Sequence, residues 1–529
     1  MNWACVTKKN ITFCASPVMK CATVNAILIL FLCYQVSAQE KAEPIDPFRL
    51  DYKDVYENMH YNQPLRPQVH YTPITGQIGD PTGLIRYKGK YHLFYMYDEW
   101  SKRRRDNKNW GHATSEDCIY WEQEPQITNS LIDNRPGSGS GIVDWNNTMG
   151  LQTGVEKTMV VFYTDYGRGT SIAFSKDAGK TWIRHKANPV LPYMEGTGGK
   201  SRDANVFWYK PDQSWRMVLY EGPGFSFYKS DNLVDWHFLS RMDGFFECPD
   251  IMQIPVDGNE ENKKWVLIDG NGSYYLGEFD GTRFITEGKK QALGDETFLR
   301  KNGDQTYYYT KDFYATQTWK QTYEGDGPFY QLASMWLGEP PTHNRTWSQQ
   351  MTFPVELTLK TINNEVRLCR NPIDGIKMLR YDAKLWKELA VKPNENPLEE
   401  IDGDVFEIIS NIDVGKSKEI VFDIRGTKVV YNTTEKQLLF MEQKAQVVSR
   451  KNKISLRIII DRNSVEIFAN QGEVTFTRLF YPDPSNMNLS LTAAGGDFRV
   501  DAMEVYRLES IWLKREQELG YKREAVKSK

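Results

Sequence analysis

The chain has 529 residues, of which 40% are apolar and 26% charged, and its formal net charge is −3. The length suits about two to four domains and the composition is that of a soluble globular protein, while the lack of a basic excess argues against a nucleic-acid-binding protein. Aromatic residues reach 13%, which favours β structure and is also common where sugars bind.

The first 38 residues are interpreted as a signal peptide. A basic segment precedes the apolar run 26–32, and a small-x-small cleavage pattern ends at Ala38. Because this run is shorter than the about 20 residues that span a bilayer, we expect cleavage after Ala38 and secretion to the extracellular space, without a membrane anchor. Residues 39–64 form an N-terminal lead-in. Five N-x-Ser/Thr sequons after residue 38 fit a glycoprotein, and they begin at Asn146, Asn271, Asn344, Asn432 and Asn488.

Three cysteines follow the signal peptide. Cys118, Cys248 and Cys369 are odd in number and widely spaced, so they predict no disulfide framework. No Cys or His pair has the spacing of zinc ligands, and the glycine-rich segments lack the strand-to-helix context of a nucleotide-binding loop. We therefore expect a fold that relies on its own core and a protein without a metal or organic cofactor.

A repeated pattern occupies residues 65–365. Short aromatic and β-branched runs are separated by Gly, Asn, Asp and Pro, which predicts strands joined by turns. Three copies end in Trp121, Trp182 and Trp236, and a degenerate fourth ends in Phe284. The period of about 50–60 residues is that of a four-stranded propeller blade, so we expect five blades, each with a tryptophan packed between blades. The predicted tight turns pair Ser115 with Asp117, Ser175 with Asp177 and Ser230 with Asp231.

A second β domain is predicted after the repeat. Residues 381–400 are polar and charged and are interpreted as a connector or exposed loop. Alternating strand patterns return beyond them, which favours a β-sandwich over residues 366–508, and residues 509–529 read as a charged, solvated tail. The predicted fold class is all-β, with a five-bladed β-propeller followed by a C-terminal β-sandwich.

Three acidic residues share one position in the repeat. Asp80, Asp203 and Glu247 each come just before the first strand of a repeat unit. Because the first strand of each blade lines the central channel of a propeller, we expect the three carboxylates to converge at one end of the axis. Such a cluster suits glycoside cleavage, in which one carboxylate attacks the anomeric carbon and another protonates the leaving oxygen. Taken singly, each segment is more typical of a structural turn or ion pair than of a catalytic site.

In order and spacing, these segments resemble glycoside hydrolase family 32, the invertase, inulinase and levanase family. The segments 110–121, 138–148, 311–317 and 460–468 add to the resemblance. It implies a retaining mechanism, with Asp80 as the nucleophile and Glu247 as the general acid and then the general base. Asp203, with Arg202, would hold sugar hydroxyls and stabilise the oxocarbenium-like transition state.

The resemblance also implies substrate-binding residues, and the chain departs from the family pattern among them. Trp110 and Ser138 would contact the sugar, and Trp336 is a weaker candidate for stacking. The family usually has Trp-Met-Asn before the nucleophile, where this chain has Gln77-Ile78-Gly79. Met96, Gly137 and Ala204 stand where Gln, Phe and Pro are expected. The three acids are kept while binding residues differ, which indicates retained chemistry with an altered substrate pocket.

The function expected from this resemblance is a secreted β-fructofuranosidase-type hydrolase that acts on a fructose-containing oligo- or polysaccharide such as sucrose, inulin or levan. A fructosyltransferase would differ only in whether water or a sugar accepts the intermediate. A non-catalytic sugar-binding protein would show no turnover. Hydrolysis of another furanoside, such as an arabinan, is disfavoured by the sandwich motif at 460–468.

Overall fold

A computed structural model describes residues 60–101, 109–127, 136–193, 200–292, 299–302, 305–308, 312–319, 328–335 and 346–513. The predicted signal peptide lies outside these ranges, as do most of the lead-in and tail, and so does Trp336. No helix in the described ranges is long and apolar enough to cross a membrane. The cysteines at 118, 248 and 369 are all buried, and each is a free thiol that forms no disulfide bond.

The first part of the chain forms the predicted five-bladed propeller of antiparallel sheets. The first two blades contain β1 (Gly76–Tyr87), β2 (Lys90–Asp98), β3 (Asn109–Ser115) and β4 (Glu122–Glu124), then β5 (Pro136–Asp144), β6 (Thr158–Asp165), β7 (Gly169–Ser175), β8 (Ile183–Arg184) and β9 (Leu191–Pro192). Blades 3 and 4 contain β10 (Ser201–Tyr209), β11 (Ser214–Glu221), β12 (Gly224–Ser230) and β13 (His237–Asp243), then β14 (Asp250–Val256), β15 (Asn259–Ile268), β16 (Tyr274–Phe279) and β17 (Phe284–Gln291).

The fifth blade differs from the others in its connections. A hairpin of β18 (Leu299–Asn302) and β19 (Gln305–Tyr308) precedes it, and its strands are β20 (Tyr314–Trp319), β21 (Phe329–Met335), β24 (Val355–Ile362) and β25 (Glu365–Pro372). Of two short strands within it, β22 (Trp347–Ser348) pairs parallel with β1 and β23 (Gln350–Met351) pairs with β21. The strand β25 belongs to the propeller, so the blade extends past residue 365.

The innermost strands, β1, β5, β10, β14 and β20, surround the axis and are joined by side chains. Short polar residues on one strand bond to the next because the strands are too divergent there for a continuous ladder. These hydrogen bonds are Thr82 Oγ1 to Gly139 O (2.9 Å), Val206 N to Ser140 Oγ (3.0 Å), Asn205 Nδ2 to Asp250 Oδ1 (3.3 Å) and Thr318 Oγ1 to Asp250 Oδ2 (2.6 Å).

The repeated tryptophans pack between blades, as predicted. Each lies after the third strand of its blade and contacts an aromatic ring of the preceding blade around the axis. The pairs are Trp121 with Trp319 (5.9 Å between ring centroids), Trp182 with Phe94 (5.4 Å) and Trp236 with Phe162 (6.0 Å).

The predicted turns are present, with one difference in the third. Ser115 Oγ donates to Asp117 Oδ1 at 3.0 Å, and the same pairing occurs between Ser175 and Asp177. In the third copy Ser230 pairs with Asn232 and not with Asp231. The turn needs its oxygen two residues after the serine, where it can accept the following backbone N–H groups, and Asn232 provides it.

The C-terminal domain is a sandwich of two antiparallel sheets. One sheet has the order β26-β36-β27-β32-β33-β34 and the other β31-β30-β29-β28-β35. Its strands are β26 (Arg380–Val391), β27 (Phe406–Asp413), β28 (Glu419–Ile424), β29 (Thr427–Asn432), β30 (Gln437–Phe440), β31 (Gln443–Gln446), β32 (Lys453–Asp461), β33 (Ser464–Ala469), β34 (Val474–Leu479), β35 (Leu489–Ala494) and β36 (Phe498–Leu508).

The connector predicted at residues 381–400 is wrong for its first half. Residues 380–391 form β26, an edge strand that pairs with β36. Most of its side chains are exposed, so the apolar alternation that marks a half-buried strand is missing. Two short 3₁₀ helices, Lys210–Asp212 and Asp374–Leu379, lie in connections.

A shared core joins the two domains. Tyr71 and Tyr95 of the propeller side belong to the same buried cluster as Phe468 of the sandwich. Trp512 belongs to it too, so the start of the segment predicted as a solvated tail is buried. Polar contacts reinforce it, since Asn463 Nδ2 donates to Gln350 Oε1 at 2.8 Å across the boundary. The propeller is therefore not an independent body beside the sandwich.

Candidate active site

The structure brings the three predicted carboxylates together at one end of the propeller axis. Asp80 lies in β1 and Asp203 in β10, while Glu247 lies three residues before β14. The Arg202 guanidinium bridges Asp203 and Glu247, with Nε 3.7 Å from Asp203 Oδ2. The charge of Asp80 also acts on the Asp203 carboxyl. Residues far apart in the chain meet because each lies where the innermost strand of its blade begins.

Asp80 is held at an irregularity in the innermost strand of blade 1. The register of β1 against β2 shifts between Ile78 and Pro81, and such a bulge re-aims a side chain. The Ser138 hydroxyl, from the next blade, donates to Asp80 Oδ2 at 2.9 Å and also lies 3.3 Å from Met96 Sδ. Asp80 is only partly buried, so its carboxylate is oriented by the protein and remains open to a ligand.

Glu247 receives a hydrogen-bond donor on each carboxylate oxygen. Arg202 Nη2 donates to Oε1, and the Tyr314 hydroxyl, from β20, donates to Oε2. The Gly270 backbone N–H donates to the carbonyl of Glu247 at 3.0 Å. A side chain at Gly270 would meet Cys248 and Glu247 at 3.3–3.4 Å, so the small residue lets this support approach closely.

Asp203 is buried behind the other two carboxylates. It accepts a hydrogen bond from the backbone N–H of Cys248 at 3.2 Å. Burial raises the pKa of Asp203 to about 7; Arg202 acts in the opposite direction, and the charges of Glu247 and Asp80 add to the increase. Near neutral pH this carboxyl therefore exists in both protonation states and can accept or donate a hydrogen bond.

The backbone of the site is left-handed at three residues other than glycine. The φ angles are +63° at Asp203, +46° at Glu247 and +44° at Cys248. The left-handed conformation costs a residue with a side chain about 1–3 kcal/mol. Contacts with the surrounding residues must therefore stabilise the backbone in this conformation. Strain of this kind clusters at functional sites, and here it affects two of the three carboxylates directly.

Arg202 is fixed between the acids and an aromatic ring. Its guanidinium carbon lies 4.7 Å from the centre of the Tyr220 ring. Burial would lower the pKa of Arg202, but the charges of Glu247 and Asp203 outweigh that effect and raise it. The side chain therefore stays positively charged and neutralises part of the acidic cluster.

Of the predicted sugar-binding residues, one lies in the site, one is buried behind it and one lies outside the described residues. Ser138 lies in the site, against Asp80. Trp110 has no exposed surface, and its indole N–H donates to Gly137 O at 3.3 Å. A ring buried in this way supports the strand that carries Ser138. Direct contact of Trp110 with the sugar stays a prediction. Trp336 lies outside the described residues.

Two tyrosines at or beside the site were not identified from the sequence. Tyr314 lies in the family-like segment 311–317, but nothing local in the sequence signals that a blade 5 tyrosine reaches Glu247. Glycine at position 137, where the family has Phe, has a physical reason: a Cβ there would lie 2.9 Å from the Tyr166 ring and 2.8 Å from Thr164 Cβ. Tyr166 thus occupies space beside the site that another side chain would otherwise fill.

Comparisons with known proteins agree with this architecture. The model of the glycosyl hydrolases family 32 N-terminal domain matches residues 70–372, and that of the family 32 C-terminal domain matches residues 377–507. A levanase of Bacillus subtilis is 34% identical over 517 residues, which cover 87% of this chain and 72% of that protein. An extracellular exo-inulinase of Aspergillus niger is 28% identical, with 86% and 96% covered.

A solved structure shows the same fold. The crystal structure of an exo-inulinase from Aspergillus awamori superposes with a TM-score of 0.73 at 25% identity and covers 86% of this chain and 100% of that one. The family models together span both domains of the described fold. The chain therefore belongs to glycoside hydrolase family 32, and it is a glycosidase that hydrolyses β-fructosidic bonds.

Proposed function

We propose that this enzyme is exported after cleavage of residues 1–38 and releases fructose from β-fructans by a retaining double displacement, with Asp80 as the nucleophile and Glu247 as the acid/base. The observation that supports this most is the placement of the two carboxylates. Asp80 is oriented by a hydroxyl donor and is partly open, while Glu247 is held by Arg202 of blade 3 and Tyr314 of blade 5.

In the first step, an Asp80 oxygen attacks the anomeric carbon of the fructosyl unit. Glu247 gives its proton to the glycosidic oxygen, which leaves with the rest of the chain. In the second step Glu247 takes a proton from water, and that water displaces Asp80 from the fructosyl group. This sequence requires the two carboxyl groups to lie about 5–5.5 Å apart.

Asp203 and Arg202 serve the transition state. A buried carboxyl beside the reacting sugar accepts hydrogen bonds from hydroxyl groups, and those bonds strengthen as positive charge develops on the ring. The positive charge of Arg202 compensates part of the negative charge of the three carboxylates. Its bridge to Glu247 also fixes the acid/base relative to Asp203.

The relatives support the proposed substrate class. The levanase and exo-inulinase names point to levan- or inulin-type chains, and sucrose has the same fructosyl linkage chemistry. A fructosyltransferase remains the second candidate, because it uses the same intermediate and differs in the acceptor. Product profiles at high sugar concentration separate the two.

The experiment that tests this function is reducing-sugar release from sucrose, inulin, levan and arabinan. We expect the wild type to release fructose from at least one of the first three, and Asp80→Asn and Glu247→Gln to lose about 10³-fold or more in kcat/KM. Asp231→Asn, at an exposed carboxylate, is the control and should retain activity. Retained activity in either site variant contradicts the assignment of that residue, and release from arabinan alone contradicts the substrate class.

A further inference from the structure

A second cavity lies on the propeller, away from the carboxylates. It has a volume of about 950 Å³ and is lined by the distal parts of four innermost strands, β1, β5, β10 and β14, with Leu84, Val206 and Ile251 among the lining residues. Along β10, Trp208 in its wall is five residues beyond Asp203, which corresponds to about 17 Å of strand. The cavity therefore opens at the opposite end of the axis from the active site.

Aromatic side chains form much of the cavity wall. Trp145, Trp208, Tyr209 and Trp265 line it and are each only partly buried. Trp208 is braced edge-on by Trp215, with 4.9 Å between ring centroids, and Trp265 packs against its own neighbours at 5.4–6.4 Å. The rings are thus fixed before any ligand arrives, which lowers the ordering cost of binding.

Uncommitted hydrogen-bonding groups lie between these rings. The side-chain amides of Gln213 and Gln253 line the cavity and make no hydrogen bond to any described residue. The indole N–H groups of Trp208 and Trp265 are likewise without a partner in the described part of the chain. Charged groups are few among the lining residues, so the wall combines flat apolar faces with neutral donors and acceptors.

We propose that this cavity is a second, non-catalytic binding site for a neutral oligosaccharide, and that its ligand is the β-fructan chain. Sugars have C–H-rich faces that pack on aromatic rings and hydroxyl groups that bond to amides, which matches both kinds of wall residue. The choice of fructan rests on the proposed function. A site at the far end of the axis would hold a second segment or chain of a polymer and prolong the enzyme's residence on it.

The test measures binding separately from turnover. The Asp80→Asn variant is produced in bacteria, so that no N-glycan at Asn146 occupies the cavity, and is titrated calorimetrically with short inulin-type and levan-type oligosaccharides. We expect two classes of sites. Adding Trp208→Ala should weaken one class by about tenfold or more, while adding Tyr381→Ala, at an exposed aromatic of the sandwich, should leave both classes unchanged.

A second variant shows whether a loss of binding in Trp208→Ala comes from the cavity or from a loss of stability. If Trp208→Ala lowers the melting temperature because Trp215 loses its neighbour, Gln253→Ala should still weaken the same class of sites. In the otherwise wild-type enzyme, Trp208→Ala should keep kcat/KM on sucrose and raise KM on polymeric fructan. The proposal is overturned if neither cavity variant changes the titration. If the wild-type enzyme hydrolyses none of the fructans, the proposed function is refuted. The calorimetric titration of the cavity does not depend on hydrolysis and still tests the second site.

Discussion

Glu247, the proposed acid/base, accepts a hydrogen bond on Oε2 from the Tyr314 hydroxyl. Hydrogen bonds to charged groups are worth about 1.5–3 kcal/mol, so we expect Tyr314→Phe to lower kcat by about ten- to a hundredfold. Steady-state kinetics on the best fructan measures this. Tyr228→Phe removes a comparable Tyr–Glu hydrogen bond, to Glu221 at 2.9 Å, and should have little effect on kcat. Equal losses in both variants would mean that Tyr314 acts only through stability.

Asp203 illustrates the conflict between stability and function. Its pKa is raised to about 7 in the fold, chiefly by burial, whereas an unfolded Asp has a pKa of about 3.9. The folded state therefore favours the protonated form, and the stability this contributes is present below about pH 4 and is lost as the pH rises to about 7.

Asp203→Asn should consequently raise the melting temperature at pH 8 by a few degrees and change it little at pH 4. Asparagine tolerates the left-handed backbone of this position, so the substitution tests charge and not conformation. Activity should fall by about 10²–10³-fold, because a group proposed to stabilise the transition state is altered. Differential scanning fluorimetry at the two pH values measures the effect, and a lower melting temperature at pH 8 would contradict it.

The segment before β1 is fastened to β32 and β33 by a buried ionic cluster. His70 Nδ1 lies 2.7 Å from Asp461 Oδ2 and its Nε2 lies 3.0 Å from Glu466 Oε2. The Asp461 carboxylate also accepts the backbone N–H of Val69, and Glu466 that of Phe353. The sequence motif at 460–468 thus has a structural role, since its two acids hold the sandwich to the propeller.

This cluster predicts a pH-dependent stability. Burial lowers the pKa of His70, but the hydrogen bonds and charges of Asp461 and Glu466 outweigh it and raise the pKa to about 9. The resulting stabilisation is full below about pH 6.5 and is lost as the pH rises through about 9. His70→Gln should cost about 3–5 kcal/mol at pH 6, because two buried carboxylates lose their cation.

Chemical denaturation at pH 6 and at pH 9.5 measures that difference, which should shrink at the higher pH. His237→Gln, at an exposed position, serves as the control and should be neutral at both. A cost for His70→Gln that is the same at both pH values would show that the histidine acts by packing alone.

Repetition is what made the propeller and its carboxylate cluster predictable. The position of Asp80, Asp203 and Glu247 relative to their strands could be compared between units, and so could Trp121, Trp182 and Trp236. Features without a repeated counterpart could not be predicted: Tyr314, in β20 of blade 5, reaches Glu247 across the boundary between blades 4 and 5. The edge strand 380–391 lacks alternation because both of its faces are largely exposed.

The molecule as a whole should unfold as one unit. The core cluster that includes Tyr95 also includes Phe468 and Trp512, and Tyr61 stacks on Trp512 with ring centroids 4.0 Å apart. Domains that share a core and buried ion pairs unfold together, so we expect a single calorimetric transition. A chain that ends at residue 375 should fail to fold, because Asp312 would lose its 3.1 Å pair with Arg478 and the shared core would be open. Two separate transitions would contradict this.

The proposed double displacement is tested most directly by trapping the covalent intermediate. Glu247→Gln is mixed with a β-fructofuranosyl fluoride, whose leaving group needs no proton, and the protein is digested and analysed by mass spectrometry. Since Glu247 is also needed to activate water, the fructosyl-enzyme should accumulate, and the peptide that contains Asp80 should gain the mass of one fructosyl group. An adduct on a different residue, or rapid turnover that yields the inverted anomer without any adduct, would contradict the assignment of Asp80 as the nucleophile.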